Sequence, residues 1–339
     1  MSTTQGVLLE RPRKLELARL AAPEAGADEA LVRLRLAGIC GSDLSAYRGT
    51  SPQVSYPRVI GHELLVDVVD GGPRPELTGR RAVVEPLVAC GRCRVCLSGR
   101  RNCCPELRVL GVHVDGGMRE ETALPAALLH PVPEDMPDEV AVLAEPTTVA
   151  YRAVQRSAVE AGRTAVVFGA GSIGLLIAQL VMRARGCRAL VVDIDPWRLD
   201  VAAQLGATPI DAGETDVAAR VAELTGGEMA AAVFEATGNE NCTRQTTDVV
   251  GYTGRIVLVG WNHGPVVFDT VVLTRKEAEV FASRNSTGAF PPVIQLLADG
   301  AIDTARMITH RFSLAEAGPA LELLDGGGEH ALKVLIGGA

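Results

Sequence analysis

The sequence predicts an α/β protein that combines a doubly wound parallel sheet in the middle of the chain with a mainly β domain. Between about residues 150 and 285, short apolar runs alternate with helical patterns, as in Thr164–Phe168 followed by Ser172–Arg185. Strands this apolar indicate a parallel sheet that is covered by helices on both faces. Before about residue 150, β-like runs such as Ala30–Leu36 are instead interrupted by Gly and Pro, which indicates irregular β structure.

The remaining elements follow from the same patterns. In the middle region we predict the strands Ala189–Asp193, Ala231–Thr237 and Arg255–Gly260 and the helices Trp197–Leu205 and Asn241–Val250. Outside it we predict the strands Arg81–Glu85 and Leu332–Ile336 and the helices Pro291–Ala298 and Leu314–Leu324. The predicted domains are therefore 1–150 with 286–339, and 151–285 between them.

Composition excludes several classes of protein. The 339 residues include 33 basic and 41 acidic ones, for a net charge of −8, whereas a general nucleic-acid binder needs a basic face. No run approaches the roughly 18 apolar residues of a membrane span, and Met1–Glu10 lacks the features of a signal peptide. We therefore expect a soluble cytoplasmic protein with no nucleic-acid or membrane partner.

A glycine-rich turn predicts a dinucleotide site. Its GxGxxG residues are Gly169, Gly171, Ser172, Ile173 and Gly174, with Ala170. The turn follows a predicted strand and opens a predicted helix, and Asp193 ends the next strand, which is the context that makes this motif specific. The Asp193 carboxylate favours NAD, because it would accept bonds from the ribose hydroxyls and repel a 2′-phosphate. Arg198 is close enough in the sequence to keep NADP as an alternative.

Four cysteines on one loop predict a structural zinc site. Five of the eight cysteines fall within fifteen residues, and Cys90, Cys93, Cys96 and Cys104 supply four thiolates. Zinc takes four such ligands tetrahedrally, and a closed set leaves no position for substrate. Cys103 competes with Cys104 as the fourth ligand, since only one of two adjacent residues should bind. In a chain of this size, reduced free thiols are the less favoured interpretation.

A second group of ligand-type residues is more scattered. Cys40, His62, Glu63 and Glu145 offer a thiolate, an imidazole and a carboxylate, which together leave a fourth position open as in a catalytic zinc site. Taken singly, each of these residues is more often structural, and their spacings are long. The residues alone therefore leave this second site open.

These stretches together resemble the zinc-containing medium-chain dehydrogenases, and the resemblance runs nearly end to end. It is carried by Gly38–Asp43, Gly61–Glu63, the cysteine loop, Gly169–Gly174 with Asp193, Ala236–Gly238 and Gly254–Gly260. Glu145-Pro146 resembles the polyol and threonine dehydrogenase branch, which includes sorbitol dehydrogenases. Tyr56–Glu63, Leu110–Gly117 and Ser283–Asn285 look like bacterial sugar-acid dehydrogenases, such as those acting on L-galactonate and L-gulonate at C5. Aminocyclitol dehydrogenases, such as that for 2-deoxy-scyllo-inosamine, are also similar.

The resemblance implies a fold and a set of roles. The fold is a nucleotide-binding Rossmann domain with a mainly β, GroES-like catalytic domain. Cys40 and His62 would bind catalytic zinc; either Glu63 is the third ligand and Glu145 holds the zinc-bound water, or Glu145 itself binds. Ser42 would hydrogen-bond the substrate hydroxyl and start proton transfer. Relatives often carry a His where this chain has Ser45, so the exit route of the proton is left open.

The expected function is oxidation of a secondary alcohol on a small polar molecule by NAD, with two zinc ions per chain. The resemblance further implies that Arg284 contacts the substrate, which suits a sugar acid or polyol, and that Thr237 contributes to cofactor binding. An aminocyclitol is the alternative substrate. A non-catalytic redox sensor and a zinc-free alkene reductase are alternatives of other classes, and relatives make a homodimer or homotetramer the expected assembly.

Overall fold

The computed structural model describes residues 2–262, 264–328 and 330–337. Its strands are β1 (Thr3–Arg11), β2 (Lys14–Ala21), β3 (Glu29–Gly38), β4 (Arg58–Val59), β5 (Glu63–Asp70), β6 (Arg81–Val84), β7 (Leu87–Val88), β8 (Arg108–Val109), β9 (Glu121–Pro125), β10 (Leu129–Pro131), β11 (Thr164–Phe168), β12 (Arg188–Asp193), β13 (Thr208–Asp211), β14 (Ala230–Glu235), β15 (Val250–Leu258), β16 (Glu279–Ala282), β17 (Ile308–Ser313) and β18 (Lys333–Gly337). Its helices are α1 (Gly41–Arg48), α2 (Arg94–Leu97), α3 (Asp138–Ala141), α4 (Ala144–Ser157), α5 (Ser172–Arg185), α6 (Pro196–Gln204), α7 (Val217–Thr225), α8 (Glu240–Val249), α9 (Thr270–Lys276), α10 (Phe290–Ala298) and α11 (Ala317–Asp325). None of the helices in these ranges is long and apolar enough to cross a bilayer.

The chain divides into two compact units. The first unit contains the described residues of Met1–Glu145, Phe290–Asp299 and Ile308–Ala339, and the second those of Pro146–Ala289 and Gly300–Met307. The functional domains expected at 1–150 with 286–339 and at 151–285 stay a prediction.

The second unit is built on a parallel sheet of six strands, in the order β13-β12-β11-β14-β15-β16. The strand order runs outward in both directions from β11 and β14, which is the doubly wound arrangement predicted from the apolar strands. Val166 and Val191 have no exposed surface, as expected for strands that are covered on both faces. The carboxyl ends of β11, β12 and β14 therefore lie side by side, and they carry the glycine-rich turn, Asp193 and Glu235.

The first unit contains the mainly β part of the fold. Its larger sheet has seven strands, in the order β10-β6-β5-β3-β18-β17 with β9 also pairing β3, and a smaller sheet has the order β2-β1-β4. At the centre β3 pairs antiparallel with β5 and with β18, which comes from the other end of the chain. Gly38 faces Glu63 on one side and Leu335 on the other in this register. This arrangement brings residues 38–43, 62–63 and 333 together.

Two predicted elements have limits that differ from those of the structure by more than two residues. The helix predicted over Leu314–Leu324 begins only at Ala317, because Leu314–Glu316 form a 3-10 turn. A capping box accounts for the turn, since the Glu316 carboxylate accepts bonds from the amide and hydroxyl of Ser313, at 2.9 and 2.7 Å. The strand predicted over Arg255–Gly260 starts earlier and ends earlier, at Val250 and Leu258.

Asp138 at the start of α3 provides a prediction about stability. Its carboxylate accepts bonds from Arg35, at 2.7 Å from Nη2, and from Arg81. Burial raises the pKa of Asp138, but the hydrogen bonds from Arg35 and Arg81 outweigh it and leave the pKa lowered. We expect Asp138→Asn to lower the unfolding free energy by about 1–3 kcal/mol at pH 7, as measured by urea unfolding.

The pH dependence follows from the direction of this shift. Because the carboxyl group is more acidic in the folded chain, its contribution is complete above the unfolded pKa of about 4 and is lost as the pH falls through the folded value. The two proteins should therefore become equally stable in acid. Asp135, which is exposed on the same loop, is the matched control, and a similar loss in Asp135→Asn would contradict the assignment.

Candidate active site

Asp43 connects the two segments that carry the candidate metal ligands Cys40 and His62. Its Oδ2 accepts the backbone N–H of Cys40 at 2.9 Å, and its Oδ1 accepts that of Gly61 at 3.2 Å. The same Oδ1 lies 3.6 Å from Nδ1 of His62, and Asp43 is buried. The Asp43 carboxylate is therefore an ionic neighbour of the His62 ring, and its hydrogen bonds join the backbone of the segment that carries Cys40 to that of the segment that carries His62. This role of Asp43 was not predicted from the sequence, although Asp43 lies within the motif of Cys40.

His62 and Ser42 form the polar centre of this region. Ser42 Oγ lies 3.3 Å from His62 Nε2, and His62 is buried, with no hydrogen-bond partner at Nδ1. Burial alone would lower the pKa of His62, but the negative charges of Asp43, Cys40 and Glu145 raise it well above its ordinary value. A buried imidazole among anionic groups is a suitable ligand for a divalent cation, which would replace the proton.

Glu63 faces a cation that the sequence analysis missed. Both of its carboxylate oxygens contact Nζ of Lys333, at 2.9 and 2.7 Å, and the two side chains are only 2% and 3% exposed. Lys333 lies in the apolar strand β18 and is one of three lysines in the chain. A lysine inside a predicted buried strand was therefore the signal that could have identified this residue, because such a charge requires a partner.

Glu145 is the second residue of α4 and lies close enough to interact electrostatically with His62 and Lys333. Removal from water raises its pKa to about 7; the nearby carboxylates of Glu63 and Asp43 reinforce this effect, whereas His62 and Lys333 oppose it. Which of Glu63 and Glu145 binds a metal stays open on these observations alone.

The fit of this region to zinc rests on donor chemistry. Cys40, His62 and a glutamate are the sulfur, nitrogen and oxygen donors that zinc accepts in catalytic sites. They are not drawn into a closed cluster: among the residues that the structure describes, only the loop cysteines place three or more potential ligand atoms within 4.8 Å of one another. The predicted coordination of the second set therefore stays a prediction.

The cysteine loop is arranged for a metal ion. The sulfur of Cys104 lies 3.5 Å from that of Cys90 and 4.0 Å from that of Cys93, and Cys96 is 4.0 Å from Cys90. A tetrahedral ion with bonds of about 2.3 Å separates its sulfurs by roughly 3.8 Å, so the spacing fits zinc. Backbone N–H groups of Arg92 and Cys93 lower the pKa of Cys90 to about 7, which favours the thiolate. Burial raises the pKa of Cys96 to about 12, a cost that metal binding would offset.

Cys103 lies outside this cluster. Its sulfur is 3.9 Å from a guanidinium nitrogen of Arg100, and it is not among the four cysteines whose sulfurs converge. The adjacent Cys104 is buried within the apolar cluster of the loop. The structure therefore brings together the four residues proposed as structural ligands.

The glycine-rich turn of the second unit has room for a ligand. Gly169 has a φ of 100°, and a Cβ at Gly174 would lie 1.8 Å from the carbonyl oxygen of Gly169, so the fold itself requires both glycines. A Cβ at Gly171 would meet only Arg198 Nη1, at 4.0 Å. The absence of a side chain at Gly171 thus keeps open a surface at the start of α5 (Ser172–Arg185), where Ser172 and Ile173 begin the helix. Free N–H groups at a helix N-terminus suit a pyrophosphate.

Asp193 lies beside this turn, as expected. Its Oδ2 accepts the N–H of Ala170 at 2.6 Å, and its Oδ1 accepts the N–H groups of Ile194 and Asp195. The carboxylate is thereby fixed at the end of β12, with Oδ2 retaining a lone pair for a further donor. Arg198 is held by Asp195, with Nε 3.3 Å from Oδ2. The cation that could favour a 2′-phosphate is therefore partly neutralised by its own neighbour.

Thr237 is positioned by a buried carboxylate that the sequence analysis missed. Glu235, only 1% exposed at the end of β14, accepts the N–H of Thr237 at 2.8 Å and that of Gly238 at 3.0 Å, and it also contacts the Thr237 hydroxyl. The loop after β14 is thereby fixed at the same sheet edge as the glycine-rich turn. The sequence signal that could have identified Glu235 was an acidic residue at the end of the apolar strand β14.

Arg284 lies in the second unit, two residues beyond β16. The preceding Ser283 is buried and donates its backbone N–H to the carbonyl of Leu258 at 2.8 Å, which fixes the start of the segment. Arg284 itself is partly buried. Its contact with substrate stays a prediction.

The chain is similar to known dehydrogenases over nearly its whole length. The family model "Alcohol dehydrogenase GroES-like domain" matches residues 26–134, and the model "Zinc-binding dehydrogenase" matches residues 172–299. The L-galactonate-5-dehydrogenase of Escherichia coli strain K12 is 36% identical over 319 residues, covering 93% of this chain and 93% of that protein.

Solved structures are similar over the same extent. An alcohol dehydrogenase of E. coli CFT073, complexed with NADH, has 34% identity and a TM-score of 0.94, covering 99% of this chain and 100% of that one. A zinc-binding dehydrogenase of Sinorhizobium meliloti 1021, bound to NADP, has 28% identity and a TM-score of 0.93, also covering 99% and 100%. Both neighbours hold a nicotinamide cofactor.

Proposed function

The chain belongs to the zinc-containing medium-chain dehydrogenases, in their polyol and sugar dehydrogenase branch, and is an enzyme acting on CH–OH groups; from this premise we propose that it transfers hydride from a secondary alcohol of a sugar acid or polyol to NAD. The observation that carries the proposal is the single carboxylate of Asp43, which accepts the backbone N–H groups of Cys40 and Gly61 and lies 3.6 Å from the ring of His62. Such an arrangement serves a metal ligand set better than it serves packing.

The chain's own residues have separate tasks in this reaction. Cys40 and His62 would hold the catalytic ion, with the Asp43 carboxylate beside the imidazole. When bound, zinc supplies Lewis acidity at the substrate oxygen and NAD supplies the hydride acceptor. Ser42, whose Oγ lies 3.3 Å from His62 Nε2, would accept a hydrogen bond from the substrate hydroxyl and relay its proton, taking it up while passing its own hydroxyl proton to the cofactor ribose. Ser45 stands where relatives often carry a histidine. Its hydroxyl donates to the carbonyl oxygen of Gly41 at 3.0 Å, so it is already hydrogen-bonded within α1.

We propose NAD as the preferred cofactor because Asp193 is fixed beside the glycine-rich turn. A 2′-phosphate within about 4 Å of this carboxylate would cost roughly 1–4 kcal/mol, depending on the local dielectric. We expect kcat/KM to favour NAD several-fold to several-hundred-fold, and Asp193→Ser to remove most of that preference. Asp200, an exposed acid on α6, is the matched control. Equal kcat/KM values for NADP and NAD in the unmodified protein would refute the proposal.

We propose a sugar acid as substrate, with Arg284 binding its carboxylate. A charge-assisted hydrogen bond contributes about 1.5–3 kcal/mol, so Arg284→Ala should raise KM for a sugar acid by roughly tenfold or more. The KM for a cationic aminocyclitol should hold or fall, since it gains nothing from this arginine. Arg275→Ala, at an exposed position on α9, should leave both values unchanged.

A panel of sugar acids, polyols and aminocyclitols with NAD tests the proposal as a whole. Turnover of a sugar acid or polyol supports it. Turnover of aminocyclitols alone would establish the alternative substrate and leave the zinc and NAD assignments intact. Tight NADH binding with no turnover of any alcohol would instead favour a redox sensor.

We further propose a homodimer or homotetramer located in the cytoplasm. β16 lies at the edge of the parallel sheet, and Glu279, Val280 and Ala282 are exposed along it. α9 has no buried residue, and its Val271 is 73% exposed. An unpaired edge with apolar neighbours favours self-association. Light scattering on the purified chain would measure the assembly, and a monomer would contradict this part of the proposal.

A further inference from the structure

Glu235, the last residue of β14, places a buried carboxylate at the sheet edge that carries the candidate cofactor site. The residue is only 1% exposed, and it forms no ion pair with any residue that the structure describes. We propose that this carboxylate is a fixed negative charge that favours the oxidised, positively charged form of the nicotinamide cofactor over the reduced form. The inference rests on the proposed function, because it requires a nicotinamide cofactor at the glycine-rich turn.

The contacts of Glu235 are those of an ionised carboxylate. It accepts the backbone N–H groups of Thr237 at 2.8 Å and of Gly238 at 3.0 Å. The Thr237 hydroxyl accepts the N–H of Asn239 at 2.9 Å and has its own hydrogen to donate to Glu235. The carboxylate is the acceptor in every one of these contacts, whereas a protonated group would need an acceptor for its own hydrogen.

The sheet register places this charge beside the glycine-rich turn. Glu235 is aligned with Phe168, the last residue of β11, and the N–H of Ala236 donates to the carbonyl oxygen of Phe168 at 3.0 Å. A Cβ at Gly169 would lie 2.8 Å from Cγ2 of Thr237, so the loop that Glu235 holds packs directly on the first glycine of the turn. The carboxylate therefore lies at the crevice where a pyrophosphate is expected.

The strand order determines which half of the cofactor Glu235 faces. β11 lies between β12, which ends in Asp193, and β14, which ends in Glu235. In this fold the pyrophosphate lies at the turn after β11, and the adenosine ribose lies at the acidic residue that ends β12. The nicotinamide half then extends in the opposite direction, over β14. Because two strand spacings, roughly 10 Å, separate the two strand ends, each carboxylate acts mainly on its own half of the cofactor.

The charge of Glu235 distinguishes two ligands that are otherwise alike. The nicotinamide ring is positively charged in NAD⁺ and becomes neutral when it accepts a hydride, while the adenosine and pyrophosphate groups keep their charges. A nearby buried anion therefore stabilises NAD⁺ more than NADH, and salt screens a buried charge much less than an exposed one. For an alcohol-oxidising enzyme this lowers the relative affinity for the reduced product, which aids its release.

Binding titrations test the inference without turnover, with calorimetry for NAD⁺ and fluorescence for NADH. Glu235→Gln removes the charge and keeps the size of the side chain, so the Kd for NAD⁺ divided by that for NADH should rise at least about threefold. ADP-ribose, which lacks the nicotinamide ring, should change in affinity by the same factor as NADH. Glu240→Gln is the matched control, since Glu240 is an exposed acid at the start of α8 and its loss should leave the ratio unchanged.

Two further variants separate the charge of Glu235 from its hold on the loop. Thr237→Val removes the hydroxyl that contacts Glu235 and keeps the charge, so NAD⁺ and NADH should weaken by the same factor. Glu235→Asp also keeps the charge, and its ratio should match that of the unmodified protein even where both affinities fall. If Glu235→Gln fails to fold, the smaller Glu235→Ser, which still offers an acceptor to the loop, carries the same expectation.

Three results would overturn the inference: an unchanged ratio in the charge-removing variant, an equal rise in Glu240→Gln, or a rise in Thr237→Val as large as that in Glu235→Gln. Failure of the proposed function has a different signature. In that case the unmodified protein would bind neither NADH nor NADPH. A chain that binds only the phosphorylated cofactor is tested with NADP⁺ and NADPH in the same way.

Discussion

Cys40→Ser and His62→Ala are expected to reduce turnover by about a thousandfold or more while NADH still binds. Each change removes a ligand from the metal that would polarise the substrate hydroxyl, and Lewis acid stabilisation of this kind contributes several kcal/mol. Cofactor binding should survive, because the glycine-rich turn and Asp193 belong to the second unit. Steady-state rates and a fluorescence titration with NADH would measure the two effects separately.

Cys103→Ser is the matched control for this prediction. Cys103 lies outside both candidate ligand sets, so its replacement should leave turnover and cofactor affinity unchanged. If either Cys40→Ser or His62→Ala retained near-normal turnover, these residues would not serve the chemistry. If both variants lost NADH binding as well, the loss of rate would reflect a damaged fold.

The second large effect concerns the cysteine loop. Cys93→Ser should lower the melting temperature by several degrees and reduce the bound zinc from two ions per chain to one, because metal binding at such a loop contributes directly to folding. Elemental analysis and thermal unfolding measure both consequences. An unchanged melting temperature would argue against a structural role, and a value near one zinc in the unmodified protein would eliminate one of the sites.

The two sites that lie on contiguous segments were predictable from the sequence. The glycine-rich turn between β11 and α5 carries its own signature, since its glycines are required by the fold or leave space for a ligand. The cysteine loop likewise brings together four sulfurs from residues that are at most 14 positions apart in the chain. In both cases local spacing determines the geometry, so no knowledge of distant contacts is needed.

Contacts between distant residues were not predictable in the same way. Glu63 and Lys333 are 270 residues apart, and no spacing rule relates a carboxylate after a histidine to a lysine in the last strand. The bridging role of Asp43 depends on the approach of Gly61 to α1, which only the folded chain reveals. Sequence patterns indicated which side chains could bind a metal ion or a cofactor, whereas the sheet register determines which of these side chains meet.

The strands β13 and β16 were not predicted, because neither has the continuous apolar run that marks a strand buried on both faces. β13 reads Thr-Pro-Ile-Asp, so its short length and its proline hide the apolar run that marks a buried strand. β16 is an exposed edge strand, in which Glu279 and Val280 both face solvent. The prediction was strongest for central strands such as β11, whose limits agree with it, because burial on both faces selects a continuous apolar run.

The pairing of β18 with β3 also has a consequence for how the chain is made. Lys333 and Ile39 are separated by 294 residues, and at ribosomal rates of about 5–20 residues per second β3 waits roughly 15–60 s for this neighbour. The cysteine loop needs no late segment and can take up its ion early in translation. The site around Cys40 is completed only when β18 has been made. A stalled or truncated nascent chain would therefore have zinc bound at the cysteine loop while the edge of β3 that pairs with β18 is still unpaired.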